Sequence, residues 1–188
     1  DHFRSFLAVT GDQRWQTVLD EMYATLANVQ NQMDGLVPDF VVNADSSPAP
    51  APGEILEQAS DGTYAVNACR VPWRLGVDYV INGESRADGM LEWLSGRAST
   101  LAGGVPGNFV GKYWGDGNYV SRDTQGALFY TGPLGVGAMA GADQGWLDSL
   151  YSDTRGRGRT VYYQDTLRVL SLITMTGNWW SPHKVTCN

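Results

Sequence analysis

Apolar residues recur along most of the chain at helical spacing, and the breaks between these runs are marked by glycine followed at once by a polar residue. Phe3 to Val9 reads as the end of a helix closed by Gly11. Asp12 then caps a second helix with Trp15, Val18, Leu19, Met22, Tyr23, Leu26 and Val29 on one face, ending between Asn31 and Gly35. From Asn67 the positions Val71, Leu75, Tyr79 and Val80 predict a central helix that stops at Ile81, Asn82 and Gly83. A further helix starts at Glu84 or Ser85, with Met90, Leu91, Trp93 and Leu94 as its apolar side. Thr124 to Met139 predicts a helix behind Asp123 as cap, bent or divided by Pro133. Asp143 opens the next, carrying Trp146, Leu147 and Leu150, and Thr160 to Thr176 is the last.

VTGDQRW, INGESRAD, GADQGWL and MTGNWW form a degenerate repeat in which Gly11, Gly83, Gly141 and Gly177 end helices. Their uneven spacing predicts helical hairpins with loops of varying length rather than a regular solenoid. The fold class expected is all-α, with five to seven main helices and any strands confined to the glycine-rich, aromatic stretch 101–123. Residues 35–62 make a connection far longer than two helices need, stiffened by SSPAPAPG. It ends in Glu54, Glu57 and Asp61, just before the central helix. A loop of that kind is more often functional than idle.

Composition narrows the partners. Of 188 residues 43% are hydrophobic, and 7 Trp and 9 Tyr make the chain rich in aromatics, which suits a globular domain. Only 13 Lys and Arg are scattered against 20 Asp and Glu, a formal charge of -7, so no nucleic acid partner is expected. The charge favours a neutral or cationic substrate. No apolar run is long enough for a membrane helix. The opening DHFRSFLAVTGDQRW is neither a signal peptide nor an ordinary start, which suggests processing, fragmentation or a split gene. Cys69 and Cys187 allow one disulfide, but Cys69 lies on an apolar helical stretch and is expected as a buried free thiol. His2 and His183 stand far apart with no metal-ligand pattern, so neither a metal nor a cofactor is expected.

The candidate chemistry gathers between Glu54 and Asp78. Cutting a polysaccharide takes one carboxyl group that protonates the leaving oxygen and a second that activates water or attacks the sugar. Glu57, at the end of the long loop, is the preferred base, while Asp61 in ASDGT reads as a turn former. Asn67 either orients water or a sugar, or simply caps the helix. Arg70 is placed to hold the base carboxylate by a two-point contact, and Arg74 reads as one half of a core ion pair. Tyr64, Trp73, Trp114, Tyr119 and Tyr130 are either sugar-stacking faces or core.

These same residues carry a family resemblance. YAVNACRVPWRLGVDYVINGESRA closely resembles a signature of glycoside hydrolase family 8, and HFRSFLAVTGDQRW, GLVPDFV, DQGWLDSLY and YYQDTLRVLSLITMTGNWW look like that family in the right order. The resemblance implies an (α/α)6 toroid of helical hairpins, with residues 1–188 supplying roughly the carboxy-terminal half of a single catalytic domain. It implies endo-acting, inverting cleavage of β-1,4 or mixed β-1,3/1,4 chains by a secreted or extracellular enzyme. In the endoglucanase and xylanase branches the base is an Asp three residues before the helix arginine. Here Asn67 stands there, with Arg70 at the matching distance. The chitosanase-type branch takes its base from a longer upstream loop, the place of Glu57, which makes Asn67, Arg70, Tyr64, Trp73 and Tyr130 substrate-binding or supporting residues. The family's general acid lies in the amino-terminal half, so that half, as a separate chain or missing segment, is the expected partner beside the polysaccharide. Chitosan ranks first as substrate on charge, with β-glucan as the alternative, and a non-catalytic carbohydrate-binding helical domain is the rival from another class.

Overall fold

A computed structural model describes residues 1–181. Seven α-helices dominate the described residues: α1 (His2–Thr10), α2 (Arg14–Gln32), α3 (Val71–Asn82), α4 (Ser85–Ala102), α5 (Leu128–Gly137), α6 (Gln144–Gly156) and α7 (Tyr162–Met175). None is long and apolar enough to cross a membrane. Helices α1 and α2, α3 and α4, and α5 and α6 pack against one another, and α5 also packs on both α3 and α7. Gly11 and Gly83 close α1 and α3 in the left-handed region (φ 68° and 66°), where a side chain would be strained, so the chain reverses there as the glycine pattern predicts. Gly141 is not used this way. Helix α6 begins instead on Asp143, whose carboxylate accepts from Trp146 N at 2.9 Å.

Helix α5 is buried at all ten positions and forms the centre of the molecule. Its core partners include Trp73 and Val77 from α3, Leu150 from α6 and Leu167 from α7. Two expectations about α5 are corrected. It starts at Leu128 rather than Thr124, because Gln164 Oε1 of α7 accepts Leu128 N at 2.9 Å and so caps it from across the core, while Asp123 is engaged by Ser121. Pro133 does not divide it: the proline forgoes one helical hydrogen bond, and packing on every side keeps the helix continuous. A smaller cluster of Leu19, Tyr23, Leu75, Ala87, Met90 and Leu91 joins α2, α3 and α4.

The strands also differ from expectation. β1 (Val41–Val42) and β2 (Ala49–Pro50) pair antiparallel inside the long loop, Val41 opposite Pro50. Proline is tolerated there because a two-stranded ribbon leaves one side of each strand unpaired. Stretch 101–123 holds no strand, its extended pairing being two isolated bridges: Tyr113 to Tyr119 within it, and Tyr113 to Tyr64, which fastens it to the segment entering α3.

Near α1, Asp78 of α3 accepts from Arg4 Nε (2.6 Å) and Nη2 (3.0 Å), Tyr23 Oη (2.7 Å) and Asn82 Nδ2 (2.7 Å). Burial alone would raise this carboxyl, but the guanidinium and hydroxyl donors outweigh it and hold it well below the usual range. Arg4 also reaches Glu84, which Arg86 clasps at 2.8 and 2.9 Å, and Arg86 continues to Asp20 at 2.7 Å. Hydrogen bonding from Arg86 leads the effects that bring the Glu84 carboxyl down to about 2. The first four helices are tied together through this one network.

Candidate active site

The long loop is organised by Asp61. Its carboxylate, enclosed by protein, accepts the backbone N–H groups of Ile55, Leu56 and Glu57 on Oδ2 (3.0, 2.9 and 3.1 Å) and of Gln58 on Oδ1 (2.9 Å). Burial works against the charge, yet the four donors keep this carboxyl below its ordinary value. Asp61 is thus the turn former expected from its Asp-Gly setting. Its effect is to fix the backbone from which Glu57 projects into solvent.

Glu57 meets the helix start through one contact: Asn67 Nδ2 donates to Glu57 Oε2 at 3.1 Å. Asn67 precedes a 3-10 turn, Ala68–Arg70, that leads into α3, and its side chain makes no cap hydrogen bond. The capping alternative is therefore excluded. Arg70 does not touch Glu57, which corrects the expected two-point grip. Its Nη2 donates to Asn67 Oδ1 at 3.0 Å and its Nε to Asn67 O at 3.2 Å, so the arginine orients the amide and the amide meets the acid. Arg74 is not in a core ion pair either. It lies over the Trp73 ring, 4.3 Å from the centroid, and beside His2 Nδ1 at 3.5 Å.

The aromatic candidates divide by burial. Tyr64 and Tyr130 have no exposed surface and stack on one another at 6.0 Å, with Phe109 edge-on to both. Trp73 is 4% exposed, packs edge-on against Trp179 and donates Nε1 to Thr174 Oγ1 at 3.3 Å. Neither tyrosine offers a face to a sugar, whereas Trp73 borders the cavity between α1, α2 and α3. The two tyrosines are enclosed by protein and support the segment that enters α3. Tyr119 does remain exposed on the rim, with the Arg122 guanidinium over its ring at 4.7 Å.

Cys69 is a buried free thiol whose Sγ donates to Val66 O at 2.9 Å, and burial pushes it up to about 12. Cys187 and His183 lie outside the described residues. A cavity of about 380 Å³ between α1, α2 and α3 has mostly apolar walls, among them Phe3, Leu19, Met22, Leu26 and Trp179. Glu57, Asn67 and Arg70 are not part of it, so volume alone does not identify the chemistry. Among the described residues no group of His, Cys, Asp or Glu is disposed to hold a metal ion.

One participant went unnoticed in the sequence. Asp39 Oδ1 accepts from Ala65 N (3.0 Å), Asn67 N (3.1 Å) and Ala68 N (2.7 Å), and Oδ2 stands 3.5 Å from Asn67 Nδ2. Burial pushes the Asp39 carboxyl up, against the pull of those three donors and with the help of the Glu57 charge. The only local sign of it was an Asp after Pro38 in GLVPDFV, within one of the segments that carried the resemblance.

No family model matches the chain. It is 37% identical over 185 residues to a β-glucanase of Niallia circulans, a match spanning 96% of this chain and 45% of that protein. It is 31% identical over 189 residues to an endoglucanase of Bacillus sp. strain KSM-330, spanning 96% and 39%. Among solved structures, a β-1,3-1,4-glucanase from Paenibacillus sp. X4 superposes with a TM-score of 0.88 at 38% identity, over 96% of this chain and 48% of that one. The chain spans less than half the length of the relatives it matches. Its all-α hairpins thus have the fold of about half of an (α/α) toroid.

Proposed function

We propose that residues 1–188 form roughly the carboxy-terminal half of a single catalytic domain, that of an endo-acting, inverting glycoside hydrolase cleaving β-1,4 or mixed β-1,3/1,4-glucan. Glu57 is its general base. The observation that carries this reading is the Glu57–Asn67 hydrogen bond, which brings a solvent-facing loop acid onto the start of α3. With Oε2 held by the amide, Oε1 is left to take the proton of a water attacking the anomeric carbon. The remainder of the protein supplies the acid that protonates the departing oxygen. β-Glucan takes precedence over chitosan because the similar proteins are named as glucanases, and the charge reasoning for chitosan is long-range and screened by salt. Acting on a polymer too large to import, the enzyme works outside the cell.

The test uses the full-length protein on mixed-linkage β-glucan, a soluble cellulose derivative and chitosan. Glu57→Gln should lower kcat by at least about 10²-fold with KM nearly unchanged, since the carboxylate acts on the transition state. The first product released should have inverted anomeric configuration by NMR. Wild-type activity of Glu57→Gln would remove the base assignment, and faster cleavage of chitosan than of either glucan would reverse the substrate order.

A further inference from the structure

The first N–H groups of a helical segment have no partner inside it, and a capping side chain next to them in sequence ordinarily accepts one. Asn67 occupies that place at the entrance to α3 and does not cap. The N–H groups such a cap would take, those of Cys69 and Arg70, go to the carbonyls of Ala65 (2.9 Å) and Asn67 (3.4 Å), while Asp39, 26 to 29 residues upstream of its partners, accepts the N–H groups of Ala65, Asn67 and Ala68. Asp39 thus holds the backbone on both sides of Asn67, and the Asn67 amide, with no cap bond to make, turns to Glu57.

Asp39 is itself anchored. Its N–H donates to Thr63 O at 2.7 Å, and that of Phe40 to Asp61 O at 3.0 Å. Asp61 in turn holds residues 55–58 through its side chain. Both ends of the Glu57–Asn67 contact are thereby referenced to one short backbone ladder, the Glu57 end through Asp61 and the Asn67 end through Asp39. We propose that Asp39 is a positioning residue that fixes the backbone of residues 65–68 and so aims the Asn67 amide at the Glu57 carboxylate. This inference rests on the reading of Glu57 as the base.

Asp39→Asn is the informative change. It keeps the size of the side chain and one carbonyl oxygen for the three backbone donors, but sets an NH2 group against the NH2 of Asn67. In the full-length enzyme acting on β-glucan, kcat should fall about 10- to 100-fold with KM within about two-fold, the effect of a displaced catalytic group. Asn67→Ala should produce a similar fall, and the double variant no more than either single one. If Glu57→Gln is inactive while Asp39→Asn keeps wild-type kcat, or if the two losses multiply, the positioning role is overturned and the base assignment stands. If Glu57→Gln is fully active, both fall together. Should Asp39→Asn not fold, Asn67→Ala decides alone, because a normal kcat there leaves Asp39 nothing to act through.

Discussion

Gly76 of α3 lies against Val136 of α5, and replacing it with alanine tests how tightly the two helices meet. A Cβ built there stands 2.6 Å from Val136 Cγ1, 2.9 Å from Val136 O and 3.1 Å from Val136 C. Carbon atoms in favourable contact lie about 3.5–4 Å apart. The Val136 methyl can turn aside, but its carbonyl belongs to the backbone of a helix buried on all sides, so relief requires moving α3 or α5. Alanine in a helix gains about 0.8–1.0 kcal/mol over glycine, whereas extra volume in a closed core costs about 1–3 kcal/mol. Gly76→Ala should therefore be destabilising by up to about 2 kcal/mol. Gly96 of α4 is the control, because it is exposed and a Cβ there meets nothing within 4 Å. Gly96→Ala should stabilise by about 1 kcal/mol. Urea unfolding of the full-length protein, followed by circular dichroism, should show the midpoint falling for the first and rising for the second, each by a few tenths of a molar or more, on the order expected from usual m-values. A midpoint raised equally by both would mean that α3 and α5 are not in contact at Val136.

Two further outcomes follow from the charged groups. Asp78 and Glu84 both titrate lower in the fold than in the unfolded chain, so their stabilisation is complete above about pH 4.5. It is lost as pH falls toward the folded values, about 2 for Glu84, and thermal midpoints recorded between pH 6 and 2 should drop steeply below about 4.5; a flat profile would contradict the network. Arg70→Ala removes two hydrogen bonds to Asn67 but none to Glu57, so kcat should fall only about 3- to 10-fold, the worth of one such bond. A loss exceeding that of Glu57→Gln would mean that Arg70 acts on the substrate itself.

What the sequence disclosed and what it hid separate by range. Gly11, Gly83 and Asp143 act on the few residues beside them, so the turns and helix starts they govern were legible. The start of α5 was misplaced because its cap, Gln164, comes from another helix 36 positions away. Asp39 escaped for the same reason, since all its partners lie beyond the long loop. Glu57, Asn67 and Arg70 do lie together, but in a different order of contact from the one expected: spacing puts an arginine near an acid and does not reveal the amide between them. Tyr64 and Tyr130 could not be told from rim aromatics, since a tyrosine reads alike in either place until packing decides.

The complete burial of α5 also bears on how the chain comes into being. Leu128–Gly137 has no polar face to turn outward, so before it is enclosed it is a short, sticky, nearly uncharged segment. Its covers from α3 are synthesised before it, but those from α6 and α7 come after, the last of them in Tyr162–Met175. During vectorial synthesis at about 5–20 residues per second the segment therefore waits a few seconds for its final wall. Over that interval it is an uncovered apolar stretch, and a nascent chain stalled before α7 leaves one of its walls unbuilt.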